Sequence, residues 1–502
     1  MSMRFLKDET IYLTPLSPVH IGFDQTYDPS TYVVKGQKLY HFNPLTVELP
    51  DAVRKMLTVG VCKDLQSLTR FLHEHADDFL PWADLIVPID RYCAQQIVNM
   101  RTSKRGASRW DCYRMMCNCD GSATTAYIPG SSIKGAIKTA LETRLGKQLV
   151  GEPLQSPMRF LKVADFTSGG RYVKVACECA SRYYKNKPNH DPCKIKSYFE
   201  SVRPGQYRIF SGAFVLTDKT NRNNIPNAYT EVKTVMSDLH RYSIRLWNKE
   251  KLLYKLADAA WVESVEKLLA KFAGEIRDGR MCLLRLGKNS GAEGKTIPKL
   301  ASITLRHRSG FEENKPETTT MWLTGDSDSN PSLHGLPYGW VLCEAPVNKT
   351  DNQVLAQWCK EFKDTFNSID VQKELEQMAA QRQAVRDRKA AIEKENAQIQ
   401  ARRDEEARRE TEFQNRLSAM SDEEKKVAEL CKKLEQGTGP IMPQDGLMRE
   451  TIELLQEAVS WTDGAVRKQT ADLIEPIARK RKMFETKKKV LKPLFAQLRG
   501  QQ

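Results

Sequence analysis

Residues 126–141 read AYIPGSSIKGAIKTAL, which combines the end of a strand, a Pro-Gly turn and a helix. Apolar residues recur in it at helical spacing and are expected to face a core: Ile133, Ile137 and Leu141. Ser131 or Ser132 is expected to cap this helix, and Gly130 allows close approach of another backbone. The segment therefore predicts a strand–turn–helix unit.

The start of this helix is also suited to binding an anion. Lys134 and Lys138 lie one turn apart near its positive end, on a different face from the apolar residues. Free N–H groups, two serine hydroxyls and two ammonium groups then converge on one place. A plain capped helix packed on a core explains the same residues, and the two interpretations are compatible because they use different faces.

A second loop, at residues 284–296, reads LRLGKNSGAEGKT and follows a strand. Its last three residues mimic a nucleotide-binding P-loop, but that motif requires glycine at position 289, where asparagine stands. The sequence that follows supplies no obvious Mg²⁺-binding aspartate at the end of an apolar strand. We therefore exclude a P-loop ATPase and expect the loop to follow a phosphate backbone.

The composition points to an anionic partner. The 502 residues include 78 Lys and Arg against 63 Asp and Glu, a net charge of +15, which makes a polyanion the first partner to consider. No run approaches the roughly 18–20 apolar residues of a membrane span, and MSMRFLKDETIYL at the N-terminus is not a secretory signal. We expect a cytoplasmic protein with no membrane partner.

The organisation of the chain changes near residue 348. Short β-rich runs alternate with helices before it, which indicates an α+β or α/β arrangement. Residues 354–434 contain neither proline nor glycine and predict one or two long charged helices. An apolar stripe recurs there every seven residues, at Val371, Met378, Val385, Ile392 and Ile399. The other positions at which a coiled coil would need apolar residues are mostly polar, so the stripe is only half of a coiled-coil interface. It predicts a helix that packs one narrow edge on a neighbour. A helical partner for residues 350–502 is one expectation.

A glycine- and proline-containing linker at 437–443 precedes a helical tail from about residue 445 to 498. The tail ends in two runs of cations, at 479–482 and 487–489. Two explanations stay open: cations that complement a helix C-terminus in solvent, or cations that contact phosphates.

Twelve cysteines are scattered along the chain and are expected to be reduced thiols. Two groups are candidate metal ligands: Cys112, Cys117 and Cys119, and then Cys177, Cys179, His190 and Cys193. Neither group has the paired C-x2-C spacing of a zinc knuckle. We expect no metal and no cofactor.

Segment 126–141 resembles the most specific motif of one family of the RAMP superfamily, the fifth subunits of type III-A CRISPR Csm complexes. Further stretches agree with that family's pattern in order: LTPLSPVHIG at 13–22, FLKVAD at 160–165, the loop at 285–296 and GWVL at 339–342. The resemblance spans about residues 10–345, and the chain beyond about 350 lies outside the pattern.

The resemblance implies an α+β fold with two ferredoxin-like (RRM-like) RAMP domains, at 1–170 and 171–348. A long charged helical region at 349–436 and a basic helical tail domain at 445–502 would follow them. It also implies a noncatalytic RNA-binding subunit of a type III CRISPR effector complex in antiviral defence. Such a subunit contacts the crRNA guide toward its 3′ end, meets target RNA through the guide, and caps the filament on the adjacent RAMP backbone subunit.

The candidate RNA-binding residues come from the two loops and from basic or aromatic positions near them. They are Gly130, Ser131, Ser132, Lys134, Lys138, Gly287, Lys288, Ser290, Gly291, Lys295, Arg105, Arg109 and Tyr27. The lysines and serines suit phosphate contacts, and a tyrosine ring suits base stacking. Arg105, Arg109 and Tyr27, taken singly, are also typical of ordinary surface or core residues.

Two other functions stay open at this level. The first is a metal-independent endoribonuclease in which His20, beside Tyr12 and Tyr27, supplies acid–base catalysis. A histidine in such a turn also serves as a hydrogen-bonded structural residue. The second is a scaffold in which the charged helix and the tail recruit another protein.

Overall fold

The structure is a computed structural model that describes residues 7–58, 63–103, 110–120, 123–151, 156–187, 195–298, 300–306, 310–326, 332–347, 350–366 and 370–501. The chain divides into two compact units, which we name the N-terminal unit (residues 1–384) and the C-terminal unit (residues 385–502). Sheets and helices build the first unit, and helices build the described part of the second, so the predicted α+β class is confirmed.

The strands in chain order are β1 Lys7–Pro15, β2 Gly22–Thr26, β3 Tyr32–Lys35, β4 Lys38–Phe42, β5 Ala83–Pro88, β6 Cys112–Met115, β7 Cys117–Asp120, β8 Ala123–Ala126, β9 Leu161–Val163, β10 Val175–Tyr184, β11 Lys196–Val202, β12 Phe210–Leu216, β13 Met281–Arg285, β14 Ile303–Arg306, β15 Glu312–Lys315, β16 Thr320–Thr324 and β17 Trp340–Glu344.

The helices are α1 Asp51–Thr58, α2 Leu65–Glu74, α3 Ala76–Phe79, α4 Arg91–Thr102, α5 Gly130–Leu145, α6 Lys219–Asn224, α7 Val232–Ala257, α8 Ala259–Lys271, α9 Ala273–Arg277, α10 Gln353–Glu361, α11 Val371–Ser418, α12 Asp422–Glu435, α13 Gly446–Val459, α14 Gly464–Lys480 and α15 Met483–Leu498. Short 3-10 turns lie at Leu80–Trp82, Pro157–Phe160 and Ala292–Lys295.

The first large sheet of the N-terminal unit has the strand order β13-β17-β1-β12-β9, and every neighbouring pair is antiparallel. Along the chain, β1, α5, β9, β12, α7 and β17 follow in a β-α-β-β-α-β sequence with other elements inserted between them. The apolar sides of α5 and α7 and the sheet share one core, which includes Ile133, Leu239, Trp247 and Trp340. The helical spacing of Ile133, Ile137 and Leu141 therefore predicted their burial correctly.

The second large sheet has the order β16-β10-β11-β6-β2, with β11 and β6 parallel and the other pairs antiparallel. A smaller antiparallel sheet, β3-β4-β5, lies beside α2 and α4. Both large sheets combine strands from either side of residue 170. Neither sheet therefore belongs to only one of the ranges 1–170 and 171–348.

The chain after residue 350 first packs on the N-terminal unit. Leu355 of α10 is buried in the main core, and the carboxylate of Asp364 accepts two hydrogen bonds from Arg203, at 2.8 and 3.1 Å. At the start of α11, Val371 and Met378 are buried against β3, β4 and α2. The first part of the seven-residue stripe therefore packs one narrow edge on a neighbour, as its pattern predicted.

The C-terminal unit contains the rest of α11 and helices α12 to α15. Its core is built from Leu430, Leu455, Ile474, Leu491 and other apolar residues of α12 to α15. The later stripe residues Val385, Ile392 and Ile399 are between 44 and 50% exposed, so this half of the stripe is uncovered. Within the described ranges, no helix is both long and apolar enough to cross a lipid bilayer.

Candidate functional site

The two segments singled out in the sequence meet in one cleft of the N-terminal unit. The start of α5 forms one wall, the loop after β13 forms the other, and the chain entering β2 closes the end. The cleft has a volume of about 540 Å³. Its lining residues are Ile21, Gly22, Asp24, Ser131, Ser132, Gly135, Ala136, Thr139, Arg285, Leu286, Gly287, Lys288, Ser290, Gly294 and Lys295.

The first turn of α5 is held tightly against the backbone that leaves β9. A Cβ atom on Gly130 would lie 2.4 Å from the carbonyl oxygen of Val163, so only glycine fits there. The Asp165 carboxylate accepts a hydrogen bond of 2.7 Å from the Gly130 N–H. The expectation that Ser131 or Ser132 caps the helix is wrong, because the helix already begins at Gly130. Both serines instead lie in its first turn and line the cleft.

The glycine-rich loop, residues 286–296, is fixed at its near end by the backbone of His20. Gly287 has a φ of +86°, and a Cβ atom there would lie 2.3 Å from the His20 carbonyl oxygen. That same carbonyl accepts a 2.8 Å hydrogen bond from the Lys288 N–H. Ser290 donates from its hydroxyl to the Gly287 carbonyl at 2.7 Å, so this buried hydroxyl stabilises the loop itself.

The far end of the loop is fixed by the 3-10 turn at Ala292–Lys295. The Tyr242 hydroxyl donates to the Glu293 carbonyl at 2.6 Å. The buried Glu293 carboxylate pairs with Lys185 at 3.0 Å and accepts from the Thr318 N–H at 2.7 Å. Anchors at both ends fix the backbone from which the Lys288 and Lys295 side chains extend, so a ligand at this loop would not have to order the loop first.

The two lysines of the loop act on each other. The Lys288 ammonium lies 4.0 Å from the centre of the Tyr113 ring, an arrangement that favours a cation. Burial, and then the positive charge of Lys288, lowers the pKa of Lys295. Two like charges near one cleft repel each other, and an anion between them would remove that repulsion.

Several predicted residues lie outside the cleft wall. Gly130 is buried at the start of α5, against the backbone that leaves β9, and Gly291, Lys134 and Lys138 do not line the cleft. Burial and the charge of Lys162 lower the pKa of Lys134. The ammonium of Lys138 lies 3.7 Å from the Glu142 carboxylate, one turn further along α5.

The basic and aromatic additions have different outcomes. Tyr27 is only 1% exposed, and the Arg114 guanidinium lies 4.9 Å from its ring centre. Its ring is therefore part of a core and is not presented to a base. Arg105 and Arg109 lie outside the described residues.

Sequence analysis missed two charged residues of the cleft. Asp24 places a carboxylate at its edge, where its negative charge opposes that of an anion. Arg285 lines the floor, but its guanidinium is paired with Glu250 at 2.5 Å and is 3% exposed. A lone arginine inside the apolar strand MCLLR was the signal for a buried ion pair.

His20 supports the loop through its backbone and is itself fully buried. Its Nδ1 donates to the Glu200 carbonyl at 2.7 Å, and burial lowers the pKa of the imidazole to about 4. The ring is therefore neutral at physiological pH. A buried neutral imidazole has no surface through which to touch a bound strand.

Three of the candidate metal ligands, Cys112, Cys177 and Cys179, belong to a core. Cys112 and Cys177 are buried side by side, with 3.1 Å between their sulfur atoms, and burial raises the pKa of Cys177 well above its usual range. Among the residues that the structure describes, no group of three or more His, Cys, Asp or Glu side chains is placed to hold a metal ion. His190 and Cys193 lie outside those residues.

Two of the solved structures that are similar to this chain come from CRISPR-Cas systems or their Csm subunits. One is a chain of the cryo-EM structure of a Csm–crRNA–target RNA ternary complex of a type III-A CRISPR-Cas system, at 15% identity and a TM-score of 0.43. The match covers 67% of this chain and 100% of that chain. The other is the crystal structure of T. onnurineus Csm5, at 14% identity and a TM-score of 0.40, covering 66% of this chain and 99% of that one.

Both structures are of the kind that the sequence resemblance named. No protein-family model and no curated protein matches the chain. At these identities and TM-scores, the likeness carries no conclusion about membership, activity or partners.

Proposed function

We propose that this chain is a noncatalytic RNA-binding subunit of a type III CRISPR effector complex. In this proposal it contacts the guide RNA toward its 3′ end, meets target RNA through the guide, and caps the filament beside a RAMP backbone subunit. The observation that carries the RNA-binding part is the cleft, in which the first turn of α5 faces the two lysines of the glycine-rich loop. The choice of complex is supported by the sequence resemblance of residues 126–141.

The cleft suits a phosphate of a nucleic acid strand for three reasons. The first turn of α5 brings the Ser131 and Ser132 side chains to the cleft at the positive end of a helix dipole, while the N–H groups of Gly130 and Ser132 already donate to Asp165 and to the Pro129 carbonyl. Lys288 and Lys295 supply positive charge, and among the described residues that line the cleft Asp24, at its edge, is the one carboxylate. Backbone N–H groups, hydroxyls and ammonium groups recognise phosphate without reading the base sequence. A guide whose sequence varies requires this kind of contact.

The burial of His20 favours binding over catalysis. General acid–base cleavage of RNA needs a group within hydrogen-bond reach of the 2′-hydroxyl or of the leaving oxygen. The His20 ring is covered on all sides and donates to a backbone carbonyl. Its position explains its presence in the turn as a support for Gly287 and Lys288.

The exposed half of the stripe on α11 supports a helical protein partner. Val385, Ile392 and Ile399 lie on one side of α11 at intervals of seven residues, and each is close to half exposed. An apolar edge of this kind gains free energy when another helix covers it. We include such a partner in the proposal for the region after residue 384.

A paired gel assay tests the proposal. The purified chain is incubated with end-labelled repeat–spacer RNA in EDTA, and each sample is run on a native and on a denaturing gel. A retarded band of intact RNA is expected, and it should weaken in a Lys288→Gln/Lys295→Gln variant. Lys147→Gln/Lys271→Gln is the matched control, because both lysines are exposed, lie outside the cleft and change the net charge equally.

Two results would contradict the proposal. Discrete cleavage that disappears in His20→Asn would identify an endoribonuclease instead. Absence of a shift, even when the adjacent backbone subunit is added, would exclude an RNA-binding role for this subunit.

A further inference from the structure

The charges of the C-terminal unit are segregated. Residues 385–478 contain 16 Lys and Arg and 20 Asp and Glu, a net charge of −4. Residues 479–492 contain eight Lys and Arg and a single Glu, a net charge of +7. The positive charge of this unit is therefore concentrated at the end of α14 and in the first part of α15.

Three of these eight cations have structural roles. Arg479 pairs with Glu475 at 2.5 Å and lies over the Phe484 ring at 4.4 Å. Arg481 donates to the carbonyls of Leu434 at 2.7 Å and Gly439 at 2.6 Å, which closes the end of α12. Lys482 lies 3.9 Å from the single carboxylate in the stretch, that of Glu485.

The other five cations are Lys480 at the end of α14 and Lys487, Lys488, Lys489 and Lys492 of α15, and we name this set the α15 patch. Lys487 is half-buried and the other four are exposed. In residues 385–501, which the structure describes throughout, none of the five forms an ion pair with a carboxylate. Lys488 and Lys492 are one helical turn apart, so their like charges are neighbours. Such an array is self-repulsive in the free protein and is stabilised by a polyanion.

The apolar side of α15 is not available to a ligand. Met483, Leu491, Phe495 and Leu498 are at most 2% exposed and belong to the core of the unit. A helix that binds a membrane surface needs an exposed apolar face beside its cations, and on α15 the core covers most of that face and leaves Val490, at 37%, as its exposed large apolar side chain. The ligand that fits the patch therefore offers negative charge without a requirement for apolar contact.

We propose that the α15 patch is a second phosphate-binding surface for single-stranded RNA, on a different unit from the cleft. Lysine ammonium groups on flexible stems suit phosphates whose spacing varies, and they contact the backbone independently of sequence. The proposal goes beyond the cleft, because it assigns an RNA contact to the part of the chain that lies outside the family resemblance. It explains the basic end of the tail as a contact surface, which sequence analysis had left open.

The test uses the full chain and a fluorescent single-stranded RNA of mixed sequence. Anisotropy gives the dissociation constant between 50 and 300 mM NaCl for the wild type and for Lys488→Gln/Lys489→Gln/Lys492→Gln. Each phosphate contact contributes about 0.7 to the slope of log K against log salt on single strands. Three lost contacts should therefore flatten the slope by about 2.

The matched control removes three other exposed cations of the same unit, in Lys394→Gln/Arg449→Gln/Lys468→Gln. Glutamine has nearly the helix propensity of lysine, so both variants should melt at the wild-type temperature. A slope that is unchanged in the patch variant would overturn the proposal. An equal fall in the patch and control variants would also overturn it, because the effect would then follow net charge alone.

Two further arms identify the ligand. The first arm uses single-stranded DNA of the same sequence. If the patch variant loses as much slope with DNA as with RNA, the result supports contacts to phosphate. If the patch variant loses slope with DNA and not with RNA, the assignment to RNA is wrong. The second arm measures co-sedimentation with vesicles of phosphatidylcholine and phosphatidylserine. The wild type and the patch variant should co-sediment with the vesicles to the same extent. Vesicle binding that the patch variant loses while its RNA slope stays unchanged would replace RNA with a membrane surface.

The cleft variant Lys288→Gln/Lys295→Gln separates this inference from the proposed function. If the cleft variant flattens the slope and the patch variant does not, the proposed function stands and the α15 patch is rejected. The reverse result rejects the cleft and keeps the patch. When both sites bind, the losses in slope should add, because independent sites contribute additively.

Discussion

Removing the two loop lysines gives the sharpest prediction for the cleft. In Lys288→Gln/Lys295→Gln the polar side chains keep most of their length, and the anchors of the loop remain because they involve the backbone of Lys288 and the side chain of Glu293. The variant lacks the contact between the Lys288 ammonium and the Tyr113 ring, and this loss lowers the free energy of unfolding by about 0.5–1 kcal/mol. The fold should therefore persist.

The expected magnitude follows from counterion release. Two phosphate contacts on a single strand contribute about 1.4 to the slope of log K against log salt, at about 0.7 each. Between 50 and 200 mM salt, the wild-type affinity should then fall about sevenfold more than that of the variant. At about 0.1 M salt, the variant should bind about 25-fold more weakly, taking 1 M salt as the reference.

Fluorescence anisotropy with labelled RNA over a salt series measures both quantities, and a thermal melt followed by circular dichroism confirms the fold. Lys147→Gln/Lys271→Gln should leave the slope within about 0.3 of the wild-type value. Equal slopes for the wild type and the cleft variant would show that both lysines face solvent in the complex. The assignment of phosphate binding to the cleft would then be wrong.

Three further changes have defined outcomes. Gly287→Ala should lower the free energy of unfolding, measured by urea denaturation, by about 1–3 kcal/mol and should weaken RNA binding. The reason is that the φ of Gly287 is positive and a Cβ atom there would lie 2.3 Å from a carbonyl oxygen. Gly294→Ala is the control in urea denaturation, because no atom lies closer than 3.5 Å to the Cβ it would add. The free energy of unfolding should fall by about 2 kcal/mol from pH 8 to pH 5 through His20 alone, since its pKa is about 4 when folded and 6.5 when unfolded, so the unfolded chain takes up the proton. The pH dependence of His20→Asn should be shallower by about one bound proton near pH 5 and by almost none at pH 8, and equal pH profiles would refute this account. A chain that ends after residue 384 should have a clearly higher melting temperature than a chain that ends after residue 350. The shorter chain loses apolar burial worth about 5 kcal/mol. Similar melting temperatures would show that residues 351–384 are not part of the first unit.

Local patterns predicted much of the architecture. The apolar spacing of Ile133, Ile137 and Leu141 predicted both a helix and its buried side, because helical geometry places such residues on one face. The absence of proline and glycine from 354–434 predicted long helices, which the structure has as α11 and α12. The half-apolar stripe predicted a narrow contact, which Val371 and Met378 make.

The cleft depended on the tertiary structure in its details. Sequence analysis selected both loops, but their residues are about 150 positions apart, and only the shared core of the first sheet brings them together. It could not tell that Tyr27 is covered by Arg114 or that the His20 backbone supports Gly287 and Lys288. Those outcomes depend on which other segments pack nearby, and local spacing carries no information about such neighbours.

The sequence by itself determined the helical and strand periods, the glycine positions that turns require, and the concentration of cations at 479–492. These features follow from backbone geometry and charge within short stretches, so no distant residue is needed to predict them. Only the tertiary structure decided that Asp165 caps α5, that His20 supports the loop from a buried position, and that Lys288 and Lys295 face the serines. Burial, hydrogen-bond partners and the electrostatics of a site arise from contacts between segments far apart in the chain, and the packed fold alone sets them.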